Sequence, residues 1–386
     1  MLNVFYWYSL IWSTVIVLYE LKLSSYNREI SNELMFFLLL SIVVSLILGF
    51  CFRKQMVYPK NIILKKYDIK GTILICIFGV VTFLYAGHIP LISIISGSRS
   101  YGDFDVLPII QPILINYIIY RVCKLTFYYL ETEDKHRLFE IIIILSVVML
   151  MFFKGTMIFC LFGMINLFIS KKRINSKISL SYALKIVSLL LVIFYINGGL
   201  ANLRTGYDWD DNSFILRLGA INNELVPIFL PKQLLWGYVY ITSPLANLNL
   251  CVQNYTNTLD ITNIVISTLP LFLAKRIFSD NMSIFDNNNF SLYHEALNAC
   301  TGYVNSVVSS GIIGMYYYFF ILVIQLIILL LILKQLGFNE PYYFSVMAIV
   351  ITFLFFYNTL VTAATSLLLF IVLGSAIKRR VRIKYR

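Results

Sequence analysis

The clearest candidate for acid–base chemistry is His294 with its neighbour Glu295, in the run YHEALNACTGYVNSVVSSGIIG. Histidine has an ordinary pKa close to neutrality, so an imidazole beside a carboxylate is able to take a proton from a hydroxyl group. A histidine here is also typical of a helix cap or a solvated surface, and sequence alone favours that simpler interpretation. We therefore carry His294, assisted by Glu295, as the candidate catalytic base.

Isolated cations in polar segments form a second candidate set. They are Arg99, Arg204, Arg217 and Lys154. Arginine presents a planar fork that suits bidentate contacts to phosphate, and together these cations are able to hold a pyrophosphate group. The alternative is ordinary ion pairing with nearby carboxylates. Those carboxylates are Asp103, Asp105, Asp208, Asp210 and Asp211.

Tyrosines accompany the cations, and their rings are of the kind that stack on sugars. The candidates are Tyr101, Tyr207, Tyr238 and Tyr240. Aromatic rings are also expected wherever a membrane protein meets the lipid headgroups, and that interpretation holds for any single ring. The sequence has no P-loop, GxSxG, CxxC or HExxH motif, so we expect neither a metal site nor another cofactor.

The elements that must position these residues are apolar. The chain has 386 residues, of which 59% are hydrophobic and 13% charged. Soluble domains are nearer one quarter charged, so a water-soluble fold is excluded. The net charge of +12 is concentrated in a few turns and in the tail KRRVRIKYR, next to apolar segments. This pattern suits contact with anionic lipid headgroups and excludes nucleic acid as a partner.

The apolar stretches predict an all-α polytopic integral membrane protein with about ten transmembrane helices. We expect spans near 2–20, 34–52, 71–88, 106–123, 138–153, 155–170, 182–198, 309–333, 342–357 and 361–377. The first lacks the features of a cleaved signal peptide and is expected to be retained. A tight turn is expected at Lys154-Gly155 and another break near Asn358, because single helices there would be too long for one crossing.

Residues 199–306 interrupt this rhythm, and we expect them to form one large loop on a single-domain protein of residues 1–386. Two short apolar stretches inside it, LVPIFLPKQLLWGYVYI and ITNIVISTLPLFLAKRIF, contain proline and charge. They are expected to be interfacial or re-entrant helices. If both crossed the membrane, the count would be about twelve and the orientation unchanged.

Orientation follows from the basic turns. Segment 53–70 carries six cations and one aspartate. Because successive spans cross the membrane in opposite directions, segment 171–177, Lys334 and segment 378–386 lie on the same side as segment 53–70. Because positive loops stay inside, we expect both termini in the cytoplasm of a bacterial inner membrane and the 199–306 loop in the periplasm. Cys251 and Cys300 both lie in that loop, where they either pair or remain free.

Two segments resemble a known family. YVYITSPLANLNL, residues 238–250, and the stretch from His294 to Gly314 are similar to segments of the bacterial O-antigen polymerases, the Wzy-type oligosaccharide repeat unit polymerases, and of the related O-antigen ligases. The resemblance covers most of the chain as topology. It implies a membrane glycosyltransferase of the GT-C type that polymerises lipid-linked repeat units without a metal.

The resemblance also implies roles for the candidate residues. The donor and acceptor would be undecaprenyl-pyrophosphate-linked oligosaccharides, and partners would include a flippase and a chain-length regulator. Arg99, Arg204 and Arg217 would hold the pyrophosphate, and His294 would activate the acceptor hydroxyl. Relatives often carry arginine where this chain has Lys154, which keeps the charge without the fork.

Two other functions remain open at this point. An O-antigen ligase shares the layout but passes the finished glycan to a lipid acceptor. A lipid-linked oligosaccharide flippase or another transporter would usually place charges inside the spans and use short loops on both faces. The long one-sided loop favours the polymerase over a transporter, and the ITSPLANLNL segment favours it over the ligase.

Overall fold

The structure is a computed structural model that describes residues 3–56, 68–96, 107, 110–175, 180–255, 258–279, 285, 290–338 and 340–384. Arg99 and Tyr101 lie outside the described residues. The part of the chain that is described folds into helices and contains no strand. A single isolated β-bridge joins Ser24 to Ile221.

The helices are numbered α1 to α15 in chain order. The first eight are Val4–Glu20, Asn32–Cys51, Lys70–Ala86, Pro90–Ile95, Ile110–Thr132, Lys135–Leu150, Lys154–Asn175 and Leu180–Arg204. The remaining seven are Ser213–Leu218, Leu234–Asn254, Ile261–Ile266, Leu271–Ile277, Val304–Gln335, Pro341–Thr352 and Leu368–Lys384. Each of the ten expected spans therefore overlaps a helix, and the helices α4, α9, α10, α11 and α12 are additional.

The outward surfaces of the helices carry apolar side chains, and several polar side chains are buried in the interior. Phe36, Leu84 and Phe139 are exposed, whereas Ser45 and Asn116 are fully buried. This distribution suits a hydrocarbon environment, in which exposed apolar groups cost nothing and polar groups must find partners within the protein.

Among the described residues, three helical segments are both long and apolar enough to cross a membrane: Asn32–Cys51, Lys154–Lys172 and Val304–Gln335. Four shorter apolar helices accompany them: Val4–Glu20, Lys70–Ala86, Pro341–Phe355 and Leu368–Lys378. The prediction of an all-α protein with membrane-type helices is confirmed. The number of crossings and their orientation stay predictions.

Ion pairs join several helices toward one end of the bundle, which we call the first end. Arg121, in the middle of α5, pairs with Glu140 in the second turn of α6 at 2.8 Å and donates to the backbone oxygen of Asp68, just before α3. Lys171, near the end of α7, pairs with Glu131 of α5 at 2.6 Å. The first end thus holds segments that the sequence assigns to the cytoplasm.

The opposite, second end is built where the α1–α2 loop meets the 199–306 region. The Ser24 hydroxyl donates to the backbone oxygen of Gly219, and the Asn249 amide donates to that of Glu29 at 3.0 Å. The turn between α6 and α7 is expected at the same end, since α6 starts at the first end. The 199–306 region therefore closes one end of the bundle.

Two spans are interrupted. In α13 the backbone leaves the helical conformation at Ser310 and at Gly311, whose φ of 58° and ψ of −150° are accessible essentially to glycine alone. After α14, a short 3₁₀ turn at Phe353–Phe355 leads into non-helical backbone, and α15 begins only at Leu368. The break expected near Asn358 is present, but the last span starts seven residues later than the expected 361.

Polar side chains satisfy the backbone of this second break. The Asn358 amide donates to the backbone oxygen of Ser267 at 2.8 Å, and Asn116 of α5 donates to that of Ala363 at 2.7 Å. Non-helical backbone at membrane depth is tolerated only where protein groups or water satisfy it. Buried asparagines therefore make the break possible.

The two apolar stretches inside the 199–306 region differ from each other. The first continues as one helix, α10, which runs to Asn254 and keeps Pro244 in its interior. The second forms two short helices, α11 and α12, that are separated at Ser267–Pro270 and are too short to cross a bilayer. The buried tip of this hairpin lies against α13, where Ser267 and Ser306 share a hydrogen bond of 3.0 Å. Two short helices with a buried tip fit the expectation of an interfacial or re-entrant segment, and entry into the bilayer stays a prediction.

Candidate functional site

Lys154 and Arg204 lie near enough to each other at the second end for their charges to interact. Lys154 begins α7, lies half-buried with its ammonium 4.8 Å from the ring centre of Phe152, and is repelled by the positive charge of Arg204. Arg204 is the last, exposed residue of α8. Among the described residues neither cation forms an ion pair. Two like charges without a carboxylate partner are an arrangement suited to an anion.

Arg217 lies in the neighbouring helix α9 and contacts the turn that follows Arg204. Its guanidinium donates to the Tyr207 hydroxyl at 2.7 Å, and both side chains reach solvent. The Ser213 amide donates to the Asp211 carboxylate, and this bond with the nearby Arg217 charge holds the pKa of Asp211 below its ordinary value. Arg217 therefore interacts electrostatically with Asp211, in the direction that the ion-pairing alternative predicts, although the two residues form no salt bridge.

A buried amide holds the cation-bearing turn against α10. The Asn202 amide donates to Asn212 at 3.1 Å, and its oxygen accepts a bond of 2.7 Å from the Trp236 indole. Gln233 donates to the Asp210 carboxylate at 2.8 Å, so that carboxylate is occupied by an amide rather than by an arginine. These bonds fix the backbone from which Arg204 projects.

A row of aromatic rings runs from this turn to the broken segment after α14. Ring centres are 5.6 Å apart from Tyr207 to Phe214, 5.9 Å from Phe214 to Trp236, 5.9 Å from Trp236 to Tyr240 and 6.4 Å from Tyr240 to Phe356. The middle ring, Trp236, is buried, whereas Tyr240 is exposed and Tyr207 half-buried. Only the accessible rings remain candidates for stacking on a sugar.

Tyr238 has a structural position. It is buried, and its hydroxyl accepts hydrogen bonds from the Leu23 amide at 3.0 Å and from the Asn27 side chain at 2.7 Å. Burial raises the pKa of this phenol. The ring therefore fastens α10 to the α1–α2 loop, and a contact between Tyr238 and sugar stays a prediction.

His294 caps a short 3₁₀ helix, Glu295–Leu297. Its Nδ1 accepts a hydrogen bond of 3.0 Å from the Ala296 amide, and both His294 and Glu295 are exposed. With Nδ1 accepting, the neutral ring carries its proton on Nε2. The outward nitrogen is then a donor, and it becomes a base only after the ring changes tautomer or gives up the cap. The base role stays a prediction.

The structure does not join His294 to the cation pair by any contact between described residues. Its neighbour Tyr293 instead stacks on Tyr26 with ring centres 5.1 Å apart, and Arg28 lies 5.5 Å from the centre of the Tyr293 ring. Arg28 is an exposed cation of the second end that the sequence-based candidate set omits. A cation in a loop that is expected to lie outside the cytoplasm is the sequence signal that could have identified Arg28.

The ITSPLANLNL segment has a clear architectural role. Asn247 donates to the backbone oxygens of Leu297 and Ala299 at 2.7 and 3.0 Å and accepts from the Tyr293 amide at 3.1 Å. Both Asn247 and Asn249 are buried. Asparagines spaced two residues apart on α10 therefore anchor the His294 segment and the α1–α2 loop.

The chemistry-bearing residues are distinct from the cavity at the first end. That cavity, of about 770 Å³, lies between α5, α6 and α7 and is lined by Tyr129, His136 and Phe168 among others. It contains none of the candidate residues. The described residues include no cluster of three or more histidine, cysteine or acidic side chains that would hold a metal ion.

No protein-family model, curated protein or solved structure matches this chain.

Proposed function

We propose that this chain is a membrane glycosyltransferase that polymerises lipid-linked oligosaccharide repeat units of an O-antigen or a related surface polysaccharide. The growing glycan would pass from undecaprenyl pyrophosphate to a sugar hydroxyl of a new lipid-linked unit. The reaction would take place at the second end, on the periplasmic face of the inner membrane. A flippase would supply the unit, and a chain-length regulator would be a further partner.

The observation that carries the proposal is the pair Lys154 and Arg204, neither of which forms an ion pair with another described residue. It lies where α7 begins and α8 ends, so an anion bound there would be at the depth of a lipid headgroup. A polyprenyl carrier keeps its tail in the bilayer and its pyrophosphate at that depth. The resemblance of YVYITSPLANLNL and of the His294–Gly314 stretch to O-antigen polymerases supports the same conclusion.

The chemistry follows from charge. The acceptor hydroxyl attacks the anomeric carbon, the bond from that carbon to the pyrophosphate breaks, and negative charge builds on the leaving group. Cations fixed in advance stabilise that charge, and one such group typically contributes about 10²–10³-fold in rate. Lys154 and Arg204 would serve the pyrophosphate, with Arg217 and Arg99 as further contacts. His294 and Glu295 would receive the hydroxyl proton.

Deletion of the gene tests the proposal. We expect the lipopolysaccharide ladder on a gel to collapse to a band with a single repeat unit, because ligation continues without polymerisation. Complementation with the intact chain should restore the ladder. Loss of the single-repeat band as well would assign the chain to the O-antigen ligases, and an unchanged ladder would exclude both activities.

A transporter of lipid-linked oligosaccharides is the second candidate, and the interrupted helices favour it. Transporters commonly place substrate where broken helices meet near the bilayer midplane. Here the α13 break contacts the start of α11 through Ser310 and Asp260, and the α14–α15 break contacts the tip of the α11–α12 hairpin through Asn358 and Ser267. Purified protein decides between the two. Polymer formed in detergent from lipid-linked repeat units supports the glycosyltransferase, whereas flipping in vesicles without polymer supports the transporter.

A further inference from the structure

Two cysteines from distant parts of the 199–306 region meet at the second end. Cys251 lies in the last turn of α10, and Cys300 lies shortly before α13. Both are buried, with 0% and 5% of their surface exposed, and their thiols are close enough that each shifts the pKa of the other. Sequence alone left open whether they pair; the fold places them side by side.

Backbone contacts hold this proximity independently of the thiols. Asn247 precedes Cys251 by one helical turn, so both project from the same face of α10. The Asn247 amide bonds the backbone oxygens of Leu297 and Ala299, the second of which directly precedes Cys300. Cys251 itself contacts the backbone oxygen of Ser291 at 3.5 Å. The segment 291–300 is therefore docked along the face of α10 that carries Cys251.

We propose that Cys251 and Cys300 form a disulfide that locks the His294 segment onto α10. The inference rests on the outward placement of the second end in the proposed function, because a structural disulfide persists only in an oxidising compartment. The bond would close a loop between residues 251 and 300, which carries His294 and Glu295.

The oxidation balances with a thiol oxidoreductase of the compartment as the co-reactant. The Cys251 thiolate attacks the oxidant's disulfide, which forms a mixed disulfide and releases one oxidant thiol. The Cys300 thiolate then attacks the Cys251 sulfur, which forms the new bond and releases the second thiol. Two protons pass from the cysteines to the oxidant's sulfurs. Because the thiols are buried in the folded protein, the exchange takes place while the 291–300 segment docks.

In the docked arrangement the two thiols shift each other's pKa in opposite directions. The Cys300 thiol donates to Cys251, and this bond holds the pKa of Cys251 below its ordinary value while it raises that of Cys300. The thiolate is the nucleophile in such exchanges. Cys123 of α5 and Cys160 of α7 form the comparison pair, since they are also buried neighbours but lie inside the helical bundle, away from the second end.

Thiol trapping on the intact protein in its membranes tests the inference. Free thiols are blocked with N-ethylmaleimide in denaturant, disulfides are then reduced, and the released thiols are counted by gel shift with a polyethylene glycol maleimide. We expect two shifts for the unaltered protein, none for Cys251→Ser or Cys300→Ser, and two for the control Cys123→Ser.

The result separates this inference from the proposed function. No shift in the unaltered protein, or two shifts that persist in Cys251→Ser, would overturn the disulfide. Labelling does not depend on activity, so two shifts in a protein whose deletion leaves the lipopolysaccharide ladder unchanged would keep the disulfide and reject the polymerase. A collapsed ladder without any shift would support the polymerase and reject the disulfide.

Discussion

At the scale of single residues, the central feature is a pair of positive charges that the fold places near each other. Lys154 and Arg204 repel each other, and no ion pair between described residues relieves that repulsion. A dianionic headgroup bound between them would relieve the repulsion. Substitutions that change the number of charges should therefore act on substrate binding or turnover rather than on folding.

The first prediction concerns this pair. Arg204→Ala and Lys154→Ala should each lower polymerisation by about 10²-fold or more, since each removes one cation from the leaving-group site. Lys154→Arg should retain activity, because the charge is kept and a fork is gained. Polymer length from purified protein and lipid-linked repeat units provides the measurement. Lys232→Ala, an exposed lysine of the same region, is the matched control. Full activity in Arg204→Ala would exclude the pair as the pyrophosphate site.

The second prediction separates the two roles of His294. His294→Ala removes both the cap acceptor and the imidazole, whereas His294→Asn keeps an acceptor for the Ala296 amide, since asparagine is a favoured cap residue. If His294 is the base, both variants should lose polymerisation while remaining folded. Recovery of activity in His294→Asn would assign the residue to capping alone. Polymer assays combined with thermal unfolding in detergent distinguish the outcomes.

At the scale of elements, the interruptions of α13 and of the α14–α15 segment organise the interior. Their backbone groups are satisfied by side chains from other elements, above all by Asn358, which accepts from the Tyr318 hydroxyl at 2.9 Å and donates to the Ser267 backbone. Such breaks persist only where the surroundings satisfy them. We infer that they are specified features of the fold and are sensitive to small changes.

The third prediction follows from the α13 break. Gly311→Ala should lower the free energy of unfolding by about 1–3 kcal/mol, because φ of 58° with ψ of −150° is strained for any residue with a Cβ atom. Gly314→Ala should also destabilise, since a Cβ there would collide with the backbone oxygen of Ser306. The control is Gly374→Ala in α15, where a Cβ meets no atom. Equal melting temperatures for Gly311→Ala and Gly374→Ala in detergent would contradict the strain.

Several elements could be predicted because their signals are local. A turn at Lys154-Gly155 follows from the length limit on a crossing helix, and the failure of the α11–α12 stretch to span follows from its proline and its intruding charges. The helix bounds show both a break and two short helices, but the break lies at 151–153, and Lys154 and Gly155 already belong to α7. The late start of α15 was missed, because Asn116 and Asn358 satisfy that backbone from positions that hydropathy does not weigh.

The site was only partly predictable for a similar reason. Cations that lie far apart in sequence were identified by type, and the fold brings Lys154 to Arg204. The position of Tyr238 depends on contacts with residues more than 200 positions away, which no single-sequence pattern encodes. Capping by His294 was an open alternative in the sequence, and only the backbone geometry displays it.

At the scale of the whole molecule, the fold separates two ends with different charge. Ion pairs and basic segments gather at the first end, whereas the 199–306 region and the α1–α2 loop close the second end. The described candidate cations Lys154, Arg204 and Arg217, the accessible rings Tyr207 and Tyr240, and the cysteine pair all belong to the second end. Function therefore depends on which side of the membrane that end faces.

The fourth prediction tests this sidedness. A fusion of alkaline phosphatase after Phe229, which is 88% exposed, should be active, because that enzyme folds only outside the cytosol and the region belongs to the second end. Fusions at Glu133, in the turn between α5 and α6, and at Gly337, after α13, should be inactive and should fluoresce when green fluorescent protein replaces the phosphatase. Positively charged segments at the first end oppose translocation, so we expect the first end in the cytosol and the second end outside it.

The reverse pattern of activity would place the cation pair in the cytosol, where a polyprenyl-linked repeat unit awaiting polymerisation would not meet it. Equal activity at Phe229 and Gly337 would instead contradict the assignment of these positions to opposite ends.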